Sequence, residues 1–164
     1  LVDAGLVVGE LAPPAGPGRP ATLYRTAPGA AERWGGASPY EALSMMLVEL
    51  VRSGRSPREV GRDAGRRLAI EYGDTAGAVE IIAGVARRLG FEPDVRVTRK
   101  GADVVLERCP FVGPAVTAPD VVCALHRGVA EGIADQAADD ATIDELVIRP
   151  PRRAGCRIKV TVPA

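Results

Sequence analysis

Residues 108–126 read RCPFVGPAVTAPDVVCALH, and the fold turns on them. Before this stretch, residues 91–99 and 102–108 alternate polar and apolar positions across a Lys100-Gly101 turn, the period of two that marks a strand hairpin. After it begins, residues 119–134 place Val122, Leu125, Val129 and Ile133 at helical spacing, with Pro119 at the start. Residues 143–149 and 156–162 then return to strand periodicity across the turn PPRRAG. In the last strand Cys156, Ile158, Val160 and Val162 share one face, and Arg157, Lys159 and Thr161 share the other. The order β-β-α-β-β predicts an antiparallel sheet with a helix packed on it.

Upstream the period is 3.6. Ser38-Pro39-Tyr40-Glu41 has the form of a capping box with Pro at the first helical position. Apolar residues at 40, 43, 46, 47, 50 and 51 follow on one helical face, up to Gly54. Ser56-Pro57-Arg58-Glu59 repeats the start signal. Val60, Ala64 and Leu68 line the second helix, with Gly61 and Gly65 allowing close approach to a neighbour, and the helix ends near Gly73. Arg55, Arg58, Arg62 and Arg66 form a stripe on it, expected to be solvated and paired with Glu59 and Asp63. A third helix over about 75–89 ends at Gly90. At the amino end, residues 6–11 and 22–26 predict two short strands joined by the Pro/Gly loop APPAGPGRPA, a hairpin with one basic residue, Arg19, at its tip. Residues 28–37 read as a linker holding the lone Trp34. The fold class is therefore α+β: a hairpin (1–27), a linker, and a domain over 38–164 in which three helices precede the β-β-α-β-β segment.

The composition narrows the function. The 164 residues suffice for a core, and with 46% apolar but only 4% aromatic residues that core is built from Ala, Val, Leu and Ile. Lys plus Arg and Asp plus Glu number 21 each, which argues against dominant non-specific nucleic-acid binding by this chain alone. No run is apolar and long enough for a membrane span and no signal peptide is visible, so the cytoplasm is the expected compartment. The opening LVDAGLVVGE lacks an initiator Met, as a fragment would. Three cysteines cannot close a disulfide framework among themselves.

Those cysteines carry the chemistry. Cys123 and His126 lie three apart on a predicted helix and project from one face. Cys109 ends a strand just before that helix, and Cys156 opens another on the inward face. Three thiolates and an imidazole suit a tetrahedral soft-metal site, either structural zinc or an iron–sulfur cluster with one non-Cys ligand. The amino end of the helix at Pro119–Asp120 is expected to favour thiolates near it. Two alternatives use the same residues differently. Free cysteine is a common buried hydrophobe and a single histidine is commonly a hydrogen-bonded core residue; or Cys109 with Cys123 or Cys156 forms a reversible disulfide. Helices 39–89 over a sheet also leave room for a small-molecule pocket with structural cysteines. A thiol enzyme with Cys109 as nucleophile lacks a base and its orienting partner, and no Ser/His/Asp set or phosphate loop is present, so no catalysis is expected.

The segment AGLVVGELAPPAGPGRPATLYRTAPGA resembles the end of a winged helix-turn-helix domain, with a GRP loop between the wing strands. The remainder is similar to the carboxy-terminal half of ArsR-like regulators related to the SUF-operon iron–sulfur repressor. The marks are Gly61, Gly65 and Leu68; Leu89 to Pro93 (LGFEP); Cys109 to Phe111 (CPF); Pro119 to His126; and Cys156 to Val160. The effector half also resembles the four-vinyl-reductase type of ligand-binding domain. The resemblance implies an effector domain of a transcriptional regulator that senses a metal, an iron–sulfur cluster or redox state through Cys109, Cys123, His126 and Cys156. It further implies wing contacts to DNA by Gly18, Arg19 and Pro20. The recognition helices of such a protein are missing here, so specific DNA binding is expected only of the full-length winged-helix domain. The expected partner besides DNA is a second copy, with helix 39–53 contributing to the dimer interface.

Overall fold

The structure, a computed structural model, describes residues 1–13, 18, 20–27, 39–73 and 75–163, which separate into two compact units, Leu1–Ala37 and Ser38–Ala164. The first unit contains the expected hairpin: β1 (Val7–Leu11) and β2 (Thr22–Thr26) pair antiparallel from Val7↔Thr26 to Leu11↔Thr22. Gly18 has φ +136°, a backbone conformation open to glycine. Pro20 is exposed. Arg19, the predicted wing-tip contact, lies outside the described residues, as do Trp34 and the capping Ser38.

The second unit is α+β. Three helices come first, α1 (Pro39–Ser53), α2 (Pro57–Ile70) and α3 (Ala78–Arg88). The hairpin β3 (Pro93–Thr98) and β4 (Gly101–Leu106) follows, then a short α4 (Val112–Thr117), α5 (Pro119–Ala134), and the hairpin β5 (Thr142–Val147) and β6 (Cys156–Thr161). The four strands form one antiparallel sheet in the order β3-β4-β6-β5, with a register shift between Ile143 and Glu145. The two hairpins thus meet along β4 and β6, where Leu106 pairs with Cys156 and Val104 with Ile158. Ala102, Val104, Leu106, Ile158 and Val160 are buried on the sheet face that α3 and α5 cover.

Local chemistry accounts for the helix ends. The second capping box forms as predicted: the Glu59 backbone N–H donates to Ser56 Oγ (3.4 Å), and the Ser56 backbone N–H donates to Glu59 Oε2 (2.9 Å). The amino end of α3 starts at Gly77, which has no side chain to cap it. Asp139, 61 residues from Ala78, supplies the acceptor, taking the Ala78 N–H at 3.1 and 3.2 Å. In the sequence Asp139 looks like no more than part of a polar loop.

The tightest packing is between α2 and α5. A Cβ on Gly61 or Gly65 would sit 2.1 Å from the backbone oxygens of Leu125 and Val129. Reciprocally, a Cβ on Gly128 or Gly132 would sit 2.1 or 1.9 Å from the oxygens of Arg58 and Arg62. Each helix thus presents a pair of glycines, four apart, to the other's main chain. Arginines close the flank. Arg58 forks onto Glu131 (2.6 and 2.6 Å) and Arg62 onto Asp135 (2.6 and 2.6 Å), with Arg66 and Arg127 adding to Asp135 and Glu131. This corrects the expected stripe. Asp63 does pair with Arg55 and Arg66, but Glu59 is taken by the cap, and Arg58 and Arg62 are bound to α5 instead. Glu131 is the buried charged residue among those described. Burial would raise its carboxyl, but hydrogen bonds from Arg58 and Arg127 outweigh that and hold it below the usual carboxylate range.

Candidate functional site

Three separate elements bring the cysteines together. Cys109 sits in the loop leaving β4, Cys123 in the first turns of α5, and Cys156 at the head of β6. The pairing of Leu106 with Cys156 draws the start of the last strand beside the end of β4, three residues before Cys109. All three thiols, with His126, line one cavity of about 40 Å³, whose other walls include Phe91, Leu106, Val122, Leu146 and Ile158. All three thiols are free and half-buried. The four side chains that the sequence singled out therefore share one apolar hollow at the seam between sheet and helix.

Each thiol has its own surroundings. The Cys109 and Cys123 thiols are both pushed up, chiefly by burial. A hydrogen bond from the Phe111 backbone N–H partly offsets this at Cys109, and the negative charge that Cys156 would carry adds to it at both. The expected lowering by the helix amino end is overruled by desolvation, so both stay protonated thiols at neutral pH. Cys156 Sγ accepts the Arg149 N–H at 3.3 Å and faces the Arg149 carbonyl at 3.8 Å, which ties it to the β5–β6 turn.

His126 is held by aromatic rings. It stacks on Phe111 (centroids 4.9 Å apart, planes 24°) and meets Phe91 edge-on (5.1 Å, 82°). Burial lowers its pKa to about 4, against the opposing effect of a hydrogen bond to the Val122 backbone, so it is neutral at pH 7. The residue as a whole is half-buried, and Nε2 is sealed off with no hydrogen-bond partner among the described residues. An orphaned ring nitrogen is costly unless something meets it. The aromatic cluster extends outward: Phe111 also contacts Tyr40 of α1 (5.6 Å, 73°), whose hydroxyl donates to the Pro110 carbonyl at 3.2 Å. The Cys109-Pro110-Phe111 loop thus bridges the cavity and α1.

What the hollow can hold depends on spacing. A zinc ion binds thiolates at about 2.3 Å, which brings its sulfurs within about 4 Å of one another. Among the described residues no three His, Cys, Asp or Glu side chains gather closely enough to hold a metal ion. As it stands, the arrangement does not make a single-ion site. Three cysteines lining one apolar hollow are the donor type that an iron–sulfur group takes. Of the predicted wing contacts, Gly18 and Pro20 lie in the other unit. Among the described residues, no helix is long and apolar enough to cross a membrane. The chain matches no family model, no curated protein and no solved structure.

Proposed function

We propose that Ser38–Ala164 is the sensing part of a cytoplasmic transcriptional regulator, and that the hollow among Cys109, Cys123, Cys156 and His126 is where it takes its signal. The observation that carries the reading is convergence: three cysteines from distant parts of the chain and the one histidine line a single cavity. The hollow is far below the roughly 300–1,000 Å³ of a pocket for a drug-sized ligand, which favours a compact inorganic group, or oxidation of the thiols themselves. The group favoured is an iron–sulfur cluster. When bound, it would supply a redox- and oxygen-sensitive centre held by the three thiolates.

The chain's own residues set how such a site responds. Cys109 and Cys123 must each give up a proton to become ligands, so loading releases protons and weakens as pH falls. Neutral His126 lines the same hollow. Cys109 is continuous with Phe111, and Phe111 touches Tyr40, so a shift of the loop reaches α1 directly. DNA contact would lie with a winged-helix part, to which the GRP sequence between β1 and β2 would belong.

The test is anaerobic loading of the purified chain with ferrous iron and sulfide. The expected product is coloured, with iron and inorganic sulfide bound in fixed ratio. Ser at 109, 123 or 156 should abolish the colour while leaving the circular dichroism unchanged. A protein that stays colourless and metal-free ends the cluster reading. Footprinting of the full-length protein upstream of its own gene, loaded and unloaded, tests the regulator part.

A second reading, an apolar small-molecule domain, is favoured by a neighbouring apolar cavity of about 40 Å³ that shares Phe91, Leu106, His126 and Ile158 with the thiol hollow. Under it, Cys109→Ser leaves ligand response unchanged.

A further inference from the structure

Beside the thiol hollow lies a second cavity of about 40 Å³, between α3 and α5, with Ile82, Val85, Ala130 and Ile133 among its walls. Every lining residue except His126 has an apolar side chain, and every one except His126 is buried. The cavity therefore sits in the interior of the unit. Packed interiors hold few voids wider than a water molecule.

The chemistry of the walls decides what can occupy it. One water needs roughly 10–15 Å³ of such space, so size alone would admit water. But a buried water also needs about two to four polar partners. Most of the main chain behind these walls is already hydrogen-bonded within α3, α5 and the β4–β6 ladder. His126 is the one side chain of the lining with a polar atom. Water is thus excluded for want of partners. Benzene is excluded by size, since an apolar hollow that takes it measures about 150 Å³. A small apolar gas meets both conditions: it fits, and it asks for no hydrogen bond. It also restores dispersion contacts that the lining side chains otherwise forgo.

The position of the cavity selects among such gases. Phe91, Leu106, His126 and Ile158 line both cavities, so one layer of side chains divides them. Leu106 pairs with Cys156 across the β4–β6 ladder, and His126 lies one helical turn beyond Cys123. A molecule held between α3 and α5 is thus one side chain from the sulfurs. We propose that this cavity is a docking site for dioxygen, held by apolar contact alone beside the thiol hollow. The choice of dioxygen among apolar gases rests on the reading of that hollow as an oxygen-sensitive centre. Docking itself rests only on the size and lining of the cavity.

The experiment is methyl-resolved carbon–proton NMR of the reduced, metal-free 164-residue chain under pressurised dioxygen, with dinitrogen as the diamagnetic blank. Dioxygen is paramagnetic and speeds relaxation of the nuclei it touches. The methyls of Ile82, Val85 and Ile133 should show at least double the enhancement of Ile81 and Val104, which are equally buried but do not line the cavity. Xenon, apolar and diamagnetic, should shift the same cavity methyls. Ala130→Leu fills the space from α5, and Ala86→Val fills it from α3 should the larger change prevent folding. In whichever filled variant keeps the circular dichroism of wild type, the excess relaxation should vanish. Equal enhancement at cavity and reference methyls overturns the proposal, as does an excess that survives filling. Iron and sulfide take no part in this measurement. A chain that forms no cluster yet shows the excess therefore loses the sensing function and keeps the gas site.

Discussion

Replacing Gly65 by Ala tests the α2–α5 contact directly. The new Cβ would lie 2.1 Å from the Val129 carbonyl oxygen, where real Cβ atoms keep at least 3.0 Å, so the helices must part locally by about 0.9 Å. The obstacle is main chain inside a helix and cannot swing aside. The cost therefore falls at the upper end of overpacking, about 3 kcal/mol. A gap of this size also forfeits a quarter to a half of the dispersion attraction between the faces, about Val60 and Ala64 on one side and Leu125 and Val129 on the other. Against this, Ala is the better helix former by about 1 kcal/mol. The net loss is about 2 kcal/mol, a fall of about 4–8 °C in Tm for a chain of this size. Urea and thermal unfolding followed by circular dichroism measure it. Gly113→Ala is the control, since a Cβ there meets nothing within 4 Å and stability should hold or rise slightly. A Gly65→Ala protein as stable as wild type, with an unchanged urea slope, would refute backbone contact between the two helices.

His126 sets a second expectation. Its folded pKa of about 4 lies below its ordinary value of 6.5, so the unfolded chain takes up the proton first. Its contribution to stability is fully present above pH 6.5 and is lost as pH falls from there toward 4, about 3 kcal/mol in all. His126→Phe should flatten unfolding free energy over that window, and a variant that tracks wild type would sink the assignment of a buried neutral imidazole. Below about pH 4 a separate loss begins in both proteins, as the lowered carboxyls of Glu131, Asp135 and Asp63 are protonated and release their arginines. Ser56→Ala removes the cap acceptor for the Glu59 N–H and should cost about 1 kcal/mol in urea unfolding; no change would mean that the capping box is decorative.

Much of this architecture is legible in the residues because its signals are local. Alternation places the two sheet hairpins, and 3.6-residue spacing with Pro and Gly punctuation places α1, α2, α3 and α5 within a few residues. The inward face of β6 follows from alternation alone, and Cys156 lies on it. Gly61 and Gly65 read as points of close approach, and α5 is the neighbour. The reciprocal pair Gly128 and Gly132 escapes notice because glycines inside a helix signal nothing until their partner is known. The short α4 is missed, since Gly113 and Pro114 look like loop residues and six residues show no period. The capping role of Asp139 and the pairing of Arg58 and Arg62 with Glu131 and Asp135 span more than 60 residues, beyond the reach of any local pattern. The sign of the thiol shifts escapes for a related reason: helix direction is visible in sequence, but the degree of burial is not.

The glycine-to-backbone contact also decides which sulfur moves. Cys123 rides on α5, and α5 is locked main chain to main chain against α2 from Leu125 to Gly132, starting two residues after that cysteine. Cys109 hangs from a loop, and Cys156 is tied to a turn. Anything that gathers the three sulfurs more closely must therefore haul the loop and the turn inward onto a stationary anvil. The helix keeps its place, and the displacement is delivered through Phe111 to whatever rests upon Tyr40.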